Sequence, residues 1–120
     1  KLDAKNITKV KFEDGKYKNF ESSKIIADGV RMLPAPGHTN GNSIVVVEDN
    51  DLYYMIHGDI TYTDEALRRN ELSVVFEDKD LAAKSLSKVR EFIKQNDTVY
   101  LSTHTPEGFN SLEKKMVMKL

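Results

Sequence analysis

Three residues of this 120-residue chain have the types and positions that metal chemistry asks for. His38 stands in "PAPGHTNG", Asp59 in "MIHGDITY" and His104 in "YLSTHTPEG". Each follows an apolar stretch that reads as a strand, and in layered α/β domains such strand ends collect the functional groups. Two imidazoles and one carboxylate suit Zn²⁺ or another first-row divalent ion. Glycine or proline flanks each position: Gly37 and Gly58 allow sharp turns, while Pro36 and Pro106 stiffen the loops. Singly, each residue has a plainer reading, as a turn histidine or a capping aspartate. Their common placement at strand ends is what makes them a candidate set.

The elements that must hold these loops are legible in outline. Lys24 to Ala27 and Val30 to Leu33 read as short strands around the Asp28-Gly29 turn. Ser43 to Glu48 reads as a strand whose unbroken β-branched run, Ile44 to Val47, predicts burial on both faces. Leu52 to His57 is the returning strand after "EDND", and Gly58-Asp59 ends it. Thr63-Asp64 caps a short helix running to about Asn70. Ala82, Leu86, Val89 and Ile93 fall at helical spacing and predict a helix from Leu81 to Asn96, capped by Asp78 or Asp80. Thr98 to Ser102 is a strand, "THTPEG" a loop, and Ser111 to Leu120 a last helix on the i+4 repeat of Leu112, Met116 and Leu120. Near the start, Val10 and Phe12 alternate ahead of Asp14-Gly15, a hairpin signal. Strands followed by helices fit a layered α/β domain with helices against a sheet.

Composition narrows the function classes. Hydrophobic residues make up 39% and charged residues 31%, which is a folded domain and not a disordered tail. The formal net charge is −1 with no polybasic run, which argues against nucleic acid or an anionic membrane as partner. No cysteine is present, so disulfides and thiolate sites are excluded and any ion must be held by His, Asp or Glu. No apolar run approaches a membrane span, and no signal peptide is seen, so a cytoplasmic protein is expected. The chain begins at Lys1 and not at methionine, which leads to the expectation of a fragment, a trimmed chain or a processed product.

The ordered trio "PAPGHTNGNS", "MIHGDITY" and "YLSTHTPEG" resembles the C-terminal half of the metallo-β-lactamase-fold hydrolases, above all their lactonase and glyoxalase II-like branch. The family pattern is Pro-Gly-His-Thr-x-Gly-His, a strand ending in Gly-Asp, and a strand ending in His near a proline; the likeness spans about Ile25 to Gly108. The resemblance implies α/β architecture, the C-terminal half of an αββα sandwich with a mixed sheet and helices packed on one face. It implies that His38 binds one ion of a dinuclear pair, zinc or alternatively Mn or Fe, that Asp59 bridges both ions, and that His104 binds the second. It also implies that Tyr62 points at the substrate carbonyl, where a phenol could donate to a developing oxyanion. The implied reaction is metal-assisted hydrolysis of a small carbonyl substrate: a lactone, thioester or amide.

Two departures limit the implied activity. Asn42 stands where the family often has its second histidine, which changes hydrogen bonding around the site more than the capacity for metal. The motif His-x-His-x-Asp-His, which the family carries in its N-terminal half, occurs nowhere in this chain. His57 does not replace it and reads as a structural or semi-exposed histidine. The whole chain is therefore expected to be one partial domain with little activity alone, its bare sheet face covered by a missing N-terminal half or by self-association. Two alternatives stay open: a non-catalytic binding or assembly module that keeps the half-fold, and a single-ion site of His38, Asp59 and His104.

Overall fold

A computed structural model describes residues 5, 7–72, 76–103 and 105–120. Their centre is a five-stranded sheet in chain order: β1 (Lys24–Ala27), β2 (Val30–Pro34), β3 (Ser43–Asp49), β4 (Leu52–Ile56) and β5 (Thr98–Leu101). The first four strands pair antiparallel, and β5 joins β4 in parallel, with Tyr53 opposite Thr98 and Ile56 opposite Leu101. The β3–β4 hairpin closes on Asn50 and Asp51, both at positive φ (49° and 67°), where asparagine and aspartate are tolerated better than most residues. A parallel neighbour requires a crossover, and α1 (Asp64–Arg68) and α2 (Lys79–Gln95) lie in it.

Local chemistry sets the helix starts. The Thr63 hydroxyl accepts from the Ala66 amide at 3.0 Å, and an Asp78 carboxylate oxygen accepts from the Leu81 amide at 3.0 Å. Of the two caps offered by the sequence for α2, Asp78 is the one used. The last helix, α3 (Pro106–Lys114), begins earlier than the apolar repeat predicts. Pro106 occupies its first turn, where a missing N–H costs nothing. Lys115 then turns left-handed and ends it. The tail leaves the helix because Met118 is drawn back: its amide donates to the Thr98 carbonyl at 2.7 Å and its side chain is buried.

The core lies on one face of the sheet. Leu33, Ile44, Val46, Met55 and Tyr100 meet Leu86, Val89, Phe92 and Ile93 of α2, with Phe20 closing one end. Burial of β3 on both faces is not found: Ile44 and Val46 are buried, whereas Val45 and Val47 are only half-buried. The opposite face is open. Val47, Tyr54, Ile56 and Leu101, with Leu112 from α3, line a hollow of about 570 Å³. The hairpin expected at Asp14-Gly15 does not form: the chain only bends at Asp14, whose amide donates to the Ser23 carbonyl, and the turn lies at Lys18 and Asn19 between the paired Tyr17 and Phe20. This is a mixed α/β sheet with helices, as expected.

Candidate functional site

The sheet topology puts the candidate loops side by side. Pro34 at the end of β2 pairs with Ser43 at the start of β3, and the β4 end is antiparallel to that start. The parallel β5 ends alongside β4. The segments after β2, β4 and β5 therefore leave the sheet on the same edge, and these carry His38, Asp59 and Thr103.

The His38 loop is held against α2. Gly37 adopts φ 139°, and a Cβ there would lie 2.2 Å from the Ala82 amide nitrogen and Cα. No side chain fits between loop and helix at this point. The Gly37 carbonyl accepts from the amides of Glu77 (2.8 Å) and Asp78 (3.0 Å), and the Ser85 hydroxyl donates to the Pro36 carbonyl at 2.7 Å. The Asn40 amide in turn donates to a Glu77 carboxylate oxygen at 3.1 Å. Gly41, by contrast, would meet nothing within 4 Å if it bore a Cβ.

Asp59 approaches His38 from the β4 end. Gly58 at φ 60° turns the strand, and Asp59 Oδ2 lies 3.4 Å from His38 Nε2. The Thr103 hydroxyl stands 3.3 Å from Asp59 Oδ1 and 3.2 Å from the Gly58 carbonyl, within donating reach of both. Tyr62, half-buried, sets its ring edge-on to His38, with centroids 6.2 Å apart and planes at 78°. His38 thus lies beside both Asp59 and Tyr62, while His104 lies outside the described residues. Among the described residues no group of three or more His, Asp or Glu side chains forms a complete ion site.

One pair of donors has a separation compatible with a shared first-row ion. Two ligands at about 2.0–2.2 Å from such an ion, subtending a tetrahedral angle, lie roughly 3.4 Å apart. His38 Nε2 and Asp59 Oδ2 have that separation. An imidazole nitrogen beside a carboxylate oxygen is also the pairing a borderline divalent ion accepts.

Polar contacts that the sequence does not announce brace this edge from below. His57 is fully buried, which corrects the semi-exposed alternative, and its ring stacks on Tyr100. The Tyr100 hydroxyl pairs with Thr61 at 2.7 Å, and the Ser102 hydroxyl donates to the buried Asp64 carboxylate. Burial pushes the Tyr100 phenol well above its ordinary range; the Asp64 charge adds to this and the Thr61 hydroxyl opposes it. A Cβ on Gly108 would lie 2.3 Å from the Ser102 carbonyl oxygen, so α3 rests directly on the end of β5. Thr103 and Ser102 carry no motif signal and their contacts follow from which strands are neighbours, whereas Asn42 stands out in sequence only as the residue in place of the family's second histidine.

No family model and no curated protein matches the sequence. Solved structures do match. An N-acyl homoserine lactone hydrolase with N-hexanoyl-L-homoserine bound at its catalytic metal centre is 24% identical, with a TM-score of 0.62 over 77% of this chain. A B. thuringiensis AiiA variant with N-decanoyl-L-homoserine at its active site has the same identity, coverage and TM-score. A quorum-quenching N-acyl homoserine lactone hydrolase is 22% identical over 71% of this chain, with a TM-score of 0.59. The chain spans 37% of the length of the first two and 35% of the third. The likeness shows that the chain has the metallo-β-lactamase fold, in part.

Proposed function

We propose that this chain is the C-terminal part of a metal-dependent hydrolase acting on a small carbonyl compound: a lactone, thioester or amide. The observation that carries the reading is the 3.4 Å approach of His38 Nε2 to Asp59 Oδ2 at one sheet edge. The lactone-related compounds bound by the similar structures support the substrate class. In this reading His38, Asp59 and His104 would hold the ion, zinc or Mn or Fe in its place. A divalent ion there supplies Lewis-acid polarisation and a more acidic water. The chain's own groups do the rest. Thr103 holds one carboxylate oxygen of Asp59 and leaves the other turned to His38. Tyr62, beside His38, donates a hydrogen bond to the oxygen that gains charge as the carbonyl is attacked.

The open sheet face supports the companion reading that this is one partial domain, 1–120, whose apolar surface of Val47, Tyr54, Ile56 and Leu101 is covered by the N-terminal half of the sandwich. That half would bring the absent His-x-His-x-Asp-His ligands; self-association is the alternative cover. No helix among the described residues is long and apolar enough to cross a membrane. A cytoplasmic setting belongs to the same proposal.

Titration of chelator-stripped protein with Zn²⁺ and Mn²⁺ by calorimetry tests the reading, with Tm as a second readout. Binding that raises Tm, and that His38→Ala and Asp59→Asn both abolish, is expected, with little turnover of lactones or thioesters. Absence of binding and of any Tm rise would overturn the metal site. Sustained turnover by the isolated chain would overturn the incomplete one.

A further inference from the structure

We propose that Asn42 is a positioning residue whose side-chain amide sets the distance between the His38 loop and the Asp59 turn; this rests on the metal-site reading above. Asn42 lies just before β3, at the point where the two loops pass each other. Its Nδ2 donates to the Ala35 carbonyl at 2.9 Å, three residues ahead of His38. Its Oδ1 faces the Asp59 amide at 3.4 Å, a long contact. Its backbone closes the same loop: the Ala35 amide donates to the Asn42 carbonyl at 2.9 Å, and the Asn42 amide to the Thr39 carbonyl at 3.3 Å. One side chain thus touches the segment before one ligand and the peptide that carries the other.

Gly58 is the counterpart of this contact. A Cβ on Gly58 would lie 2.9 Å from Asn42 Oδ1 and 3.3 Å from the Ser43 carbonyl oxygen. The missing side chain is what lets the amide lie against the 58–59 peptide. The chemistry selects the residue type. A donor and an acceptor are needed on one short stem, and a carboxamide has both. Aspartate would lose the donor toward Ala35 and set a second negative charge beside Asp59. Alanine would lose both contacts.

The test compares Zn²⁺ affinity of the 120-residue chain with that of Asn42→Ala, Asn42→Asp and Asn42→Gln. Asn19→Ala is the control: Asn19 Nδ2 donates to the Lys88 carbonyl at 2.9 Å, away from the site. Loss of a group that orients a ligand weakens binding about 10–100-fold, and Asn42→Ala is expected in that range. Asn19→Ala is expected to lower Tm and leave affinity unchanged. Gly58→Ala should weaken binding even with Asn42 intact. A metal-free readout is amide hydrogen exchange at Asp59, expected to be faster in Asn42→Ala than in the unaltered chain. Unchanged affinity in Asn42→Ala, or a loss no greater than in Asn19→Ala, overturns the positioning role while the metal site stands. If the unaltered chain takes no Zn²⁺, the metal reading fails, and unchanged exchange at Asp59 then removes the tie as well. Should Asn42→Ala fail to fold, Asn42→Gln decides: it keeps both polar groups on a longer stem, and full affinity there would count against a distance-setting role.

Discussion

The rings of His57 and Tyr100 lie face to face, 4.0 Å between centroids and 3° from parallel, beneath the loop that carries Asp59. Both residues are buried; Tyr100 sits on β5, and His57 directly follows the last residue of β4. A double-mutant cycle with His57→Leu and Tyr100→Leu should return a coupling of about 0.5–1.5 kcal/mol, the range for aromatic pairs beyond their buried area. Denaturant unfolding of the four proteins measures it. Strict additivity would mean that the two rings contribute to the core separately.

Two phenols, the buried Tyr100 and the half-buried Tyr17, should make the chain sensitive to alkali. Burial raises both Tyr17 and Tyr100 above the ordinary value of 10.0, with Glu48 reinforcing the shift at Tyr17 and Asp64 at Tyr100. Above that pH the unfolded chain loses these protons while the folded chain keeps them. The unfolded state then binds fewer protons, so stability falls as pH rises. For Tyr100 the slope is at most about 1.4 kcal/mol per pH unit. Urea midpoints from about pH 9 to about pH 11 should drop in the native chain and drop less steeply in Tyr100→Phe.

Two glycines of one loop should respond in opposite ways. Gly37→Ala forces a Cβ against the α2 backbone at a positive φ, and should cost about 3 kcal/mol or more or prevent folding. Gly41→Ala meets open space and should stay within about 0.5 kcal/mol of the native chain. Thermal melts of the pair decide; equal losses would contradict the packing described for Gly37.

Thr103 is exposed, so its hydroxyl matters to Asp59 more than to the fold. Thr103→Val should weaken Zn²⁺ binding about 10-fold with little change in Tm. Thr103→Ser should restore affinity. Calorimetry on both variants separates an orienting hydroxyl from a merely tolerated one.

Much of this was legible from residues alone, and the failures have physical causes. The β3–β4 hairpin and α2 carry their own signals: Asn50-Asp51 at the turn, and a capping Asp78 ahead of a 3.6-residue apolar stripe. His38 and Asp59 stood out because strand ends and flanking glycines are local features. The misreadings involve distant partners. Val45 and Val47 look the same as Ile44 and Val46 in sequence, and only the position of α2 decides which face is covered. The i+4 pattern of Leu112 and Met116 extended α3 too far because it cannot register Met118 pairing with Thr98. Thr103 and the Ser102–Asp64 pair depend on which strands are neighbours, which no spacing rule contains, and for Asn42 the sequence marks the position but not its partners, Ala35 and Asp59.

The sheet order β1 to β5 also bears on when the site comes into being. Four strands form a meander closed by two tight turns and the loop that carries His38, and Asp59 lies at its end. Such local pairings form early, whereas a parallel strand waits for its crossover to collapse. Pulsed hydrogen exchange during refolding should protect β2–β4 amides before those of β5. The two donors would then meet while Thr103 is still undocked, so under the proposed metal reading secure ion capture would be a late event in the life of the chain, timed by the arrival of its last strand.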